Sequence, residues 1–591
     1  MPVEWNGFSS LPEFKDHQMQ PVDFNNIPGF TSKNPRYVII LGMRDGQWLL
    51  DFYNRYKDSI HCLYIIEPDV DSFSHQMLHH SWAALLQDIR VRWYTGSMTN
   101  EVQSALLNDV TEIGAWGIHA WRHASLVELA SEWFTGISDN IRFALHSARE
   151  NIQVQIERGL IIQNNIIKNI RSMTRSMTLE SFVNIFPNNP AVIVGAGPSL
   201  SKNIDALKIA SPGVLIISTD TALKPLLKHG IQPHFVVACD PLKINHKHFT
   251  GINSLGSSIL AYLPDVNADI LEQYARHPRL LCLYDLQIKL LQRLANPLNI
   301  KQTFPRRMNV GFCAFMLAQF MGCSPIIMAG MDLSVSPGNL SHADGTANAS
   351  MVTPSEDGKQ VRLQGNIESA SMPMTRVEGY YGEPVLTFSY FHHTIQTLEN
   401  QIDKINNLVI DATEGGAKKK GAVQMRLGEA LREYTVEKPA SNRLLEIHPS
   451  TPVNSFKTII QTLHDLRQDL NKNQKQLRIG LARLNQWKNE EHGKSLESVN
   501  NNAQMYLSRW KEILSNPSLD IGIDIGLAHL RYSTWRLETP SDLSAHDLRD
   551  WWYGSLHELL NGAVYDLNMF IELYGLIIKN LQTSLTSCTE K

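Results

Sequence analysis

The sequence predicts an α/β protein in which parallel sheets flanked by helices precede an all-helical C-terminal domain. Apolar runs at 37–41 and 191–194 lead directly into glycine-containing turns, a pattern typical of a buried parallel strand followed by a helix. After Tyr434, by contrast, apolar residues recur at helical spacing over long segments. That spacing predicts packed helices rather than further strands.

The composition is that of an ordinary globular protein. The chain has 591 residues, of which 43% are hydrophobic and 19% are charged, and its formal net charge is −4. These values exclude a disordered chain, a collagen and a coiled-coil rod. The near-neutral charge gives no electrostatic basis for general nucleic-acid binding, so we predict no nucleic-acid partner. The six cysteines include no Cys-x-x-Cys pair, so neither a zinc site nor a disulfide framework is expected.

Targeting signals are also absent from the sequence pattern. No stretch reaches the roughly 18 consecutive apolar residues of a membrane-spanning helix, and residues 1–20 lack the apolar core of a signal peptide. We therefore expect a cytoplasmic protein with reduced cysteines and no membrane span. The segment that comes nearest to a membrane span, 159–170, is interrupted by Gln163, Asn164, Asn165, Lys168 and Asn169.

Changes in composition and in the spacing of apolar residues divide the chain into four predicted segments. A Rossmann-like domain occupies 1–135, and a helical connector occupies 136–186, where apolar residues recur at helical spacing. A central α/β domain, rich in glycine and proline at strand ends, occupies 187–428. The helical C-terminal domain occupies 429–591.

The first segment has the order of a Rossmann-like unit: strand, glycine turn, helix, strand and acid. The strand at 37–41 ends at Gly42, and the apolar run 62–66 is followed by Glu67. An acid in this place suits a ribose hydroxyl. Because the turn at 42–46 departs from the full Gly-x-Gly-x-x-Gly pattern, a degenerate α/β domain with a structural acid is the alternative.

The central segment places a glycine turn directly after its first strand. The strand at 191–194 leads into the turn Gly195-Ala196-Gly197-Pro198-Ser199, and a helix is predicted from about Ser201. Glycine lets the backbone turn sharply and approach a ligand closely, and the N–H groups at a helix start suit a phosphate. A tight structural turn without a ligand is the alternative interpretation.

Two further apolar runs, at 214–217 and 235–238, end in polar residues. The first leads to Asp220 and Thr221, and the second leads to Asp240. Because the carboxyl ends of parallel strands line one ligand crevice, both acids suit contacts to ribose hydroxyls or base edges. Each is also a common helix cap or turn former.

Three later motifs continue the pattern. Asn309 and Gly311 open an apolar helix, and the strand at 326–328 ends in Gly330 and Asp332. His342 follows in a loop, where it suits a general base, a phosphate contact or an exposed loop histidine. After a polar insertion at about 341–373, a strand at 408–410 leads into Thr413-Glu414-Gly415-Gly416. That turn suits phosphate or sugar binding, or forms a mobile loop.

The ordered set of motifs resembles the central domain of the motility-associated factor (Maf) glycosyltransferases. The wider domain family includes archaeal hydroxymethylpterin diphosphokinases, and the order of motifs is similar to that of bacterial sialyltransferases that use CMP-sialic acid. The resemblance covers about 190–421 and implies a sialyltransferase-like, Rossmann-like central domain. It rests on the motifs Gly195–Leu200, Thr219–Lys224, Ala238–Pro241, Gly330–Ser334 and Thr413–Ala417.

The resemblance implies a glycosyltransferase for protein O-glycosylation. Its donor would be a CMP-activated nonulosonic acid, pseudaminic or legionaminic acid. Its acceptors would be Ser and Thr hydroxyls of flagellin, in support of flagellar assembly and motility. The CMP-sugar is a substrate, so no cofactor is required. No metal cluster is evident from the sequence, and Asp220, Asp240 and Asp332 suit Mg²⁺ only for a nucleoside triphosphate substrate.

The resemblance also implies site residues. The expected catalytic candidates are Glu383, His342 and Asp332. The sialyltransferases carry nucleotide-binding Asn where this chain has Ala196, Asp220 and Asp240, and their general-base His has no counterpart in the matching segment 380–387. The base is therefore open between Glu383, His342 and His392. The expected donor-nucleotide contacts are Gly195, Ala196, Gly197, Pro198, Ser199, Asp220, Thr221, Asp240, Asn309, Gly311, Gly330, Thr413, Glu414, Gly415 and Gly416.

Two rival functions remain open from the sequence. A pterin diphosphokinase-like phosphotransferase would use ATP and depend strictly on Mg²⁺, but it would need only the central domain. A non-catalytic flagellin-binding protein would use the aromatic residues of the helical tail, although aromatic residues at helical spacing are more often core. These aromatic residues are Trp487, Trp510, Trp535 and Trp551-Trp552-Tyr553.

Overall fold

The computed structural model describes residues 19–21 and 37–589 apart from short gaps. Among the described helices, none is both long enough and apolar enough to cross a membrane. The gaps within 37–589 fall at 44–45, 59, 80, 97, 110–112, 114–117, 124–130, 211–212, 287, 306–308, 337–339, 348–351, 355–359, 364–371, 437–443, 445, 448–452, 491–493, 515, 517–518, 520–521, 523–525, 536 and 538–542.

The N-terminal sheet has five strands in the order β1-β5-β2-β3-β4. All neighbours are parallel except β1, which pairs antiparallel with β5. The strands are β1 (Met19–Pro21), β2 (Tyr37–Leu41), β3 (Cys62–Glu67), β4 (Val91–Thr95) and β5 (Ile118–His123). The helices between them are α1 (Gln47–Tyr56), α2 (Val70–His79), α3 (Ala83–Gln87) and α4 (Thr99–Asn108).

Both faces of this sheet are buried, because alternate residues of β2 enter two different clusters. Ile39 belongs to one apolar cluster and Ile40 to the other. A parallel sheet covered on both faces accounts for the continuous apolar runs in the sequence. The predicted Rossmann-like N-terminal domain is confirmed.

The central sheet has nine strands, and every neighbouring pair is parallel. Its order is β18-β17-β12-β7-β8-β9-β10-β11-β6. Successive side chains of β7 again enter opposite apolar clusters. The strands are β6 (Met177–Thr178), β7 (Ala191–Val194), β8 (Leu215–Thr219), β9 (Phe235–Ala238), β10 (Ile259–Tyr262), β11 (Leu280–Cys282), β12 (Ile326–Ala329), β17 (Val409–Asp411) and β18 (Val423–Gln424).

Helices and two short 3₁₀ helices connect the strands of the central sheet. The 3₁₀ helices are Leu179–Ser181 and Lys243–His248. The α-helices are α5 (Ser131–Met173), which precedes the sheet, α6 (Leu200–Ala210), α7 (Asp220–Lys228), α8 (Ala268–Gln273), α9 (Lys289–Ala295), α10 (Val310–Phe320), α11 (Ser389–Lys404) and α12 (Leu427–Tyr434). This alternation confirms the predicted parallel α/β architecture of the central domain.

A second, smaller sheet lies in the chain between β12 and α11. It is antiparallel in the order β13-β14-β15-β16. The sequence pattern shows only a polar insertion in most of this segment, because short strands with few apolar residues carry no periodic signal. The strands are β13 (Val352–Pro354), β14 (Gln360–Leu363), β15 (Met372–Glu378) and β16 (Pro384–Phe388).

The last part of the chain is helical, as predicted. Trp487, Trp510 and Trp552 are at most 4% exposed, so these rings serve as core rather than as a docking surface. The side chain of Trp535 lies outside the described residues. The helices are α13 (Val453–Glu490), α14 (Leu496–Leu514), α15 (Ala528–Trp535) and α16 (Ala545–Thr589).

Backbone contacts divide the chain into two compact units. The N-terminal sheet lies in the first unit and the central sheet in the second. The predicted boundaries at 1–135, 136–186, 187–428 and 429–591 stay predictions. The first unit comprises 1–159, 477–515 and 527–563, and the second comprises 160–476, 516–526 and 564–591.

The polar residues that interrupt the apolar segment of α5 hold loops at the carboxyl edge of the central sheet. The Asn165 side-chain amide donates to the carbonyls of Pro241 and Asp265, at 2.9 and 3.2 Å. Asn169 donates to the carbonyls of Pro264 and Val266, at 2.9 and 2.8 Å. Both amides are buried, so each satisfies two carbonyls that water does not reach.

We predict that Asn169→Ala lowers the free energy of unfolding by about 1–3 kcal/mol, because it leaves two buried carbonyls without a donor. Asn164→Ala is the matched control, since Asn164 is half-buried on the same helix and none of the described side-chain hydrogen bonds involves it. Urea unfolding of both variants measures the difference. Equal stability of the two variants would contradict the bracing role of Asn169.

Candidate functional site

The candidate site lies at the carboxyl edge of the central sheet, where β7 and β12 are neighbours. The chain runs from β7 towards β11 on one side of this pair and from β12 towards β18 on the other. In open parallel sheets, ligands bind in the crevice at such a switch point. The predicted turns at 195–199 and 330–332 follow these two strands.

These two turns pack backbone against backbone. The Gly195 N–H donates to the Ala329 carbonyl at 2.9 Å, and the Gly197 N–H donates to the Gly330 carbonyl at 2.8 Å. A Cβ on Gly195 would lie 2.5 Å from the Gly330 oxygen, and one on Gly330 would lie 2.4 Å from the Gly195 oxygen. Gly330 also has a φ of +63°. Glycine at both positions is therefore required by the contact between the turns.

Asp332 fixes the glycine turn through its buried carboxylate. Its two oxygens accept hydrogen bonds from the Ser199 N–H at 3.1 Å and the Ser199 hydroxyl at 2.7 Å. Burial raises the pKa of Asp332, while these bonds and the nearby Lys419 ammonium oppose the rise. A Cβ on Gly197 would lie 1.9 Å from Oδ2 of Asp332. Asp332 therefore holds the glycine turn in position, and the catalytic role expected for it stays a prediction.

The turn after β17 joins the other two. The Ala417 N–H donates to the backbone carbonyl of Asp332 at 2.8 Å. A Cβ on Gly416 would lie 2.4 Å from the same carbonyl oxygen, and one on Gly415 would lie 3.6 Å from Cβ of Ser199. Glu414 accepts the Leu427 N–H at the start of α12, at 2.9 Å. The structure thus brings the predicted glycine turns together around Asp332.

This packing determines which backbone donors remain for a ligand. The N–H groups of Gly195, Gly197 and Ser199 are used within the protein. Among the described residues, no protein acceptor forms a hydrogen bond with the N–H of Ala196, Gly415 or Gly416. A phosphate at this edge would therefore meet those three donors rather than the whole turn.

A buried ion pair supports the turn after β17, and its cation is the middle residue of three consecutive lysines. Lys419 Nζ lies 3.4 Å from the carboxylate of Asp411, and both side chains are fully buried. Lys419 also donates to the hydroxyl of Thr413 at 3.3 Å. The adjacent Lys418 instead pairs with Glu378 at the surface. No signal in the sequence distinguishes the buried lysine from its neighbours.

Asp220 and Asp240 lie near each other at the ends of β8 and β9. Asp220 is buried, and Oδ1 accepts the N–H and the hydroxyl of Thr221, at 2.7 and 3.1 Å. Burial raises the pKa of Asp220 to about 7, and the charge of Asp240 contributes to the rise. Asp240 is half-buried and accepts the Leu242 N–H at 2.8 Å. Asp240 is thus the more accessible acid of the pair.

Asn309 and Gly311 have partners within the protein. Asn309 is the N-cap of α10, where Oδ1 accepts the Phe312 N–H at 2.8 Å and Nδ2 donates to the Thr394 hydroxyl at 3.1 Å. A Cβ on Gly311 would lie 2.7 Å from Sδ of Met331. These contacts explain both residue types structurally, and a nucleotide contact by either one stays a prediction.

The candidate bases occupy different places. Glu383 is exposed on the turn between β15 and β16. His342 lies in a loop that docks on the glycine turn, because the Ala343 N–H donates to the Ala196 carbonyl at 2.9 Å. Burial, followed by the charge of Lys247, lowers the pKa of His342 to about 4. A neutral imidazole beside the turn is chemically suited to accept a proton. His392 lies on α11, where burial lowers its pKa.

Glu67, the predicted ribose contact of the N-terminal domain, accepts backbone hydrogen bonds within its own domain. One Glu67 oxygen accepts the Met43 N–H at 2.8 Å, and the other accepts the Asp69 N–H at 3.0 Å. Burial raises the pKa of Glu67 against these bonds. The acid therefore fixes the turn after β2, although part of that turn, 44–45, lies outside the described residues.

We predict that Gly197→Ala destabilises the protein by about 1–3 kcal/mol, because the new methyl group overlaps the Asp332 carboxylate. The control is Gly428→Ala, since a Cβ there meets no atom within 4 Å and alanine favours the helix α12. The urea midpoint should fall for Gly197→Ala and stay constant or rise for Gly428→Ala. Equal midpoints would contradict the close approach of the turns.

We predict that Asp220 makes stability depend on pH. Because its pKa is raised from 3.8 to about 7 in the folded state, its favourable contribution is complete below about pH 4 and is lost as pH rises through 7. Asp220→Asn, which cannot ionise, should become more stable than the wild type by up to about 4 kcal/mol at pH 8. Thermal midpoints from pH 5 to 8 measure this.

The control for this titration is Asp205→Asn, an exposed position on α6. The difference in thermal midpoint between Asp205→Asn and the wild type should not change between pH 5 and 8. A constant difference for Asp220→Asn over the same range would refute the raised pKa.

Known proteins resemble this chain in sequence and in structure. A family model described as 6-hydroxymethylpterin diphosphokinase MptE-like matches residues 164–338. An uncharacterised protein of Treponema pallidum (strain Nichols) is 27% identical over 121 residues, which cover 20% of this chain and 57% of that protein. The chain therefore matches little more than half the length of this relative.

A solved structure is similar over nearly the whole chain. It is the structure of a Maf glycosyltransferase from Magnetospirillum magneticum AMB-1, with a TM-score of 0.53 at 14% identity, covering 94% of this chain and 82% of that one. This likeness confirms the resemblance to the Maf proteins at the level of the fold. The family model confirms the resemblance of the central domain to the MptE-like domain. The chain has the fold of a Maf glycosyltransferase.

Proposed function

We propose that the chain is a glycosyltransferase that moves a nonulosonic acid, pseudaminic or legionaminic acid, from a CMP donor to Ser and Thr hydroxyls of flagellin. In this role it supports flagellar assembly and motility, and it acts in the cytoplasm without a cofactor. The observation that carries the proposal is the convergence of three glycine turns on Asp332 at the switch point of the central sheet. The likeness to a solved glycosyltransferase supports it.

The proposed chemistry needs few groups, because the donor already carries a phosphate leaving group. The free N–H groups of Ala196, Gly415 and Gly416 would stabilise the departing phosphate. The crevice between the turns would orient the acceptor hydroxyl. His342 would accept the hydroxyl proton as a general base, a contribution of typically about 10²–10⁴-fold in rate.

An MptE-like phosphotransferase is the second candidate, because the family model matches 164–338. It would use ATP, with Mg²⁺ held by carboxylates. Both oxygens of Asp332 accept hydrogen bonds from Ser199, which leaves Asp220 and Asp240 as the carboxylates for a metal. The charge of Asp240 helps to raise the pKa of Asp220. We favour the glycosyltransferase because the structural likeness extends over 94% of the chain, far beyond the matched segment.

The direct test incubates the purified full chain with CMP-activated nonulosonic acid and the cognate flagellin. We expect the intact mass of flagellin to rise by one or more sugar residues, without added metal. The competing reaction is tested with hydroxymethylpterin, ATP and Mg²⁺. An unmodified flagellin together with formation of the pterin diphosphate would replace the proposal by the phosphotransferase.

We predict that Asp240→Ala lowers transfer by about 10–100-fold, the loss of one hydrogen bond to a charged group. Asp240→Asn keeps an oxygen for the Leu242 N–H, so it separates loss of charge from loss of the turn. Asp205→Ala on the exposed face of α6 is the control. Wild-type transfer by both Asp240 variants would remove this residue from the site.

A further inference from the structure

Four basic side chains at the carboxyl edge of the central sheet lie within electrostatic reach of one another, and we call Lys224, Lys247, His248 and His342 the basic cluster. Lys224 lies on α7, whereas Lys247 and His248 end the 3₁₀ helix that follows β9. The helix α7 and this 3₁₀ helix are in contact, because Lys224 Nζ donates to the Lys247 carbonyl at 2.7 Å. His342 joins them from the loop after β12.

His248 is the deepest member of the basic cluster. It is 2% exposed, and its Nδ1 has no hydrogen-bond partner among the described residues. Nearly all buried polar atoms in proteins have such a partner, so an unpaired buried nitrogen points to a group that the protein alone does not supply.

The electrostatic surroundings of the two imidazoles are cationic. Burial, followed by the charges of Lys247, His342 and Lys224 in that order, lowers the pKa of His248 to about 4. For His342 the causes are burial and Lys247. In the described part of the chain no carboxylate is among these influences. Repulsion among like charges is relieved by an anion that accepts their hydrogen bonds.

The basic cluster lies next to the donors that remain at the sheet edge. The loop of His342 is fixed to Ala196 by the Ala343 N–H, and to α6 by the Asp344 N–H, which donates to the Ser201 hydroxyl at 3.1 Å. Lys224, Lys247 and His342 are half-buried rather than sealed. An anion bound there would therefore remain in reach of the glycine turn.

We propose that the basic cluster is the subsite for the oxyanion group of the donor, which is either the phosphate of the nucleotide or the carboxylate of the acidic sugar. This inference rests on the proposed function for the identity of the donor, but not for the presence of the anion site. The two lysines would donate charge-assisted hydrogen bonds, and His248 would donate from its ring N–H. The neutral ring of His342 would remain beside the anion as the proton acceptor.

The test titrates the full chain with CMP, cytidine and free N-acetylneuraminic acid by calorimetry. The variants are Lys247→Gln and Lys224→Gln, both at half-buried positions, so failure of one to fold leaves the other. The control is Lys243→Gln on the same 3₁₀ helix, because Lys243 is exposed and pairs with Asp269 at 3.7 Å. It removes the same charge outside the basic cluster.

A phosphate subsite predicts that CMP binds more tightly than cytidine and that both variants weaken CMP by about tenfold or more. A carboxylate subsite predicts equal binding of CMP and cytidine, and loss of N-acetylneuraminic acid binding in both variants. The control should keep the wild-type affinities in either case. Variants that bind every probe as the wild type does, or a wild type that binds no anion, would overturn the inference.

Anion binding and transfer to flagellin, measured together, test the basic cluster and the proposed function separately. Normal transfer to flagellin with wild-type anion binding in both variants would reject the basic cluster and leave the glycosyltransferase. Anion binding that is lost in both variants, together with no transfer by the wild-type chain, would support the basic cluster and reject the glycosyltransferase.

Discussion

The bond between the Asp332 carboxylate and Ser199 is the contact on which the rest of the site depends. It joins two strand ends at the switch point of a nine-stranded parallel sheet. The backbone carbonyl of the same residue accepts the Ala417 N–H from a third strand end. One buried aspartate thereby sets the spacing of three turns, and the glycines beside it are the residues that leave room for its atoms.

This arrangement divides the polar groups of the sheet edge into two classes. The N–H groups of Gly195, Gly197 and Ser199 bind within the protein, while those of Ala196, Gly415 and Gly416 have no acceptor among the described residues. Asp240 is half-buried beyond β9. Lys224, Lys247 and His248 of the basic cluster follow β8 and β9, on the same side of β7, whereas His342 follows β12 on the other side. A ligand with both neutral hydroxyls and an anionic group, as in a CMP-sugar, matches this distribution of acceptors and cations better than a purely apolar one.

The sequence predicts the sheets well, because buried parallel strands are continuous apolar runs and glycine turns mark their ends. The contacts within the site are less predictable. Ser199 and Asp332 are separated by 133 residues, so no local pattern shows that they bond. Asn165 and Asn169 interrupt an apolar segment in the sequence, yet their amides brace the loops after β9 and β10. The basic cluster likewise assembles from three separate segments, and His248 has no motif of its own.

The central claim is that the carboxyl edge of the central sheet binds the nucleotide of a CMP-sugar. A crystal structure of the full chain with CMP tests it most directly. We expect the phosphate to lie within hydrogen-bond distance of the Ala196 or Gly415 N–H, with Asp240 beside the ribose or the base. CMP bound only away from this edge, with Asp332 and Ser199 undisturbed, would contradict the claim.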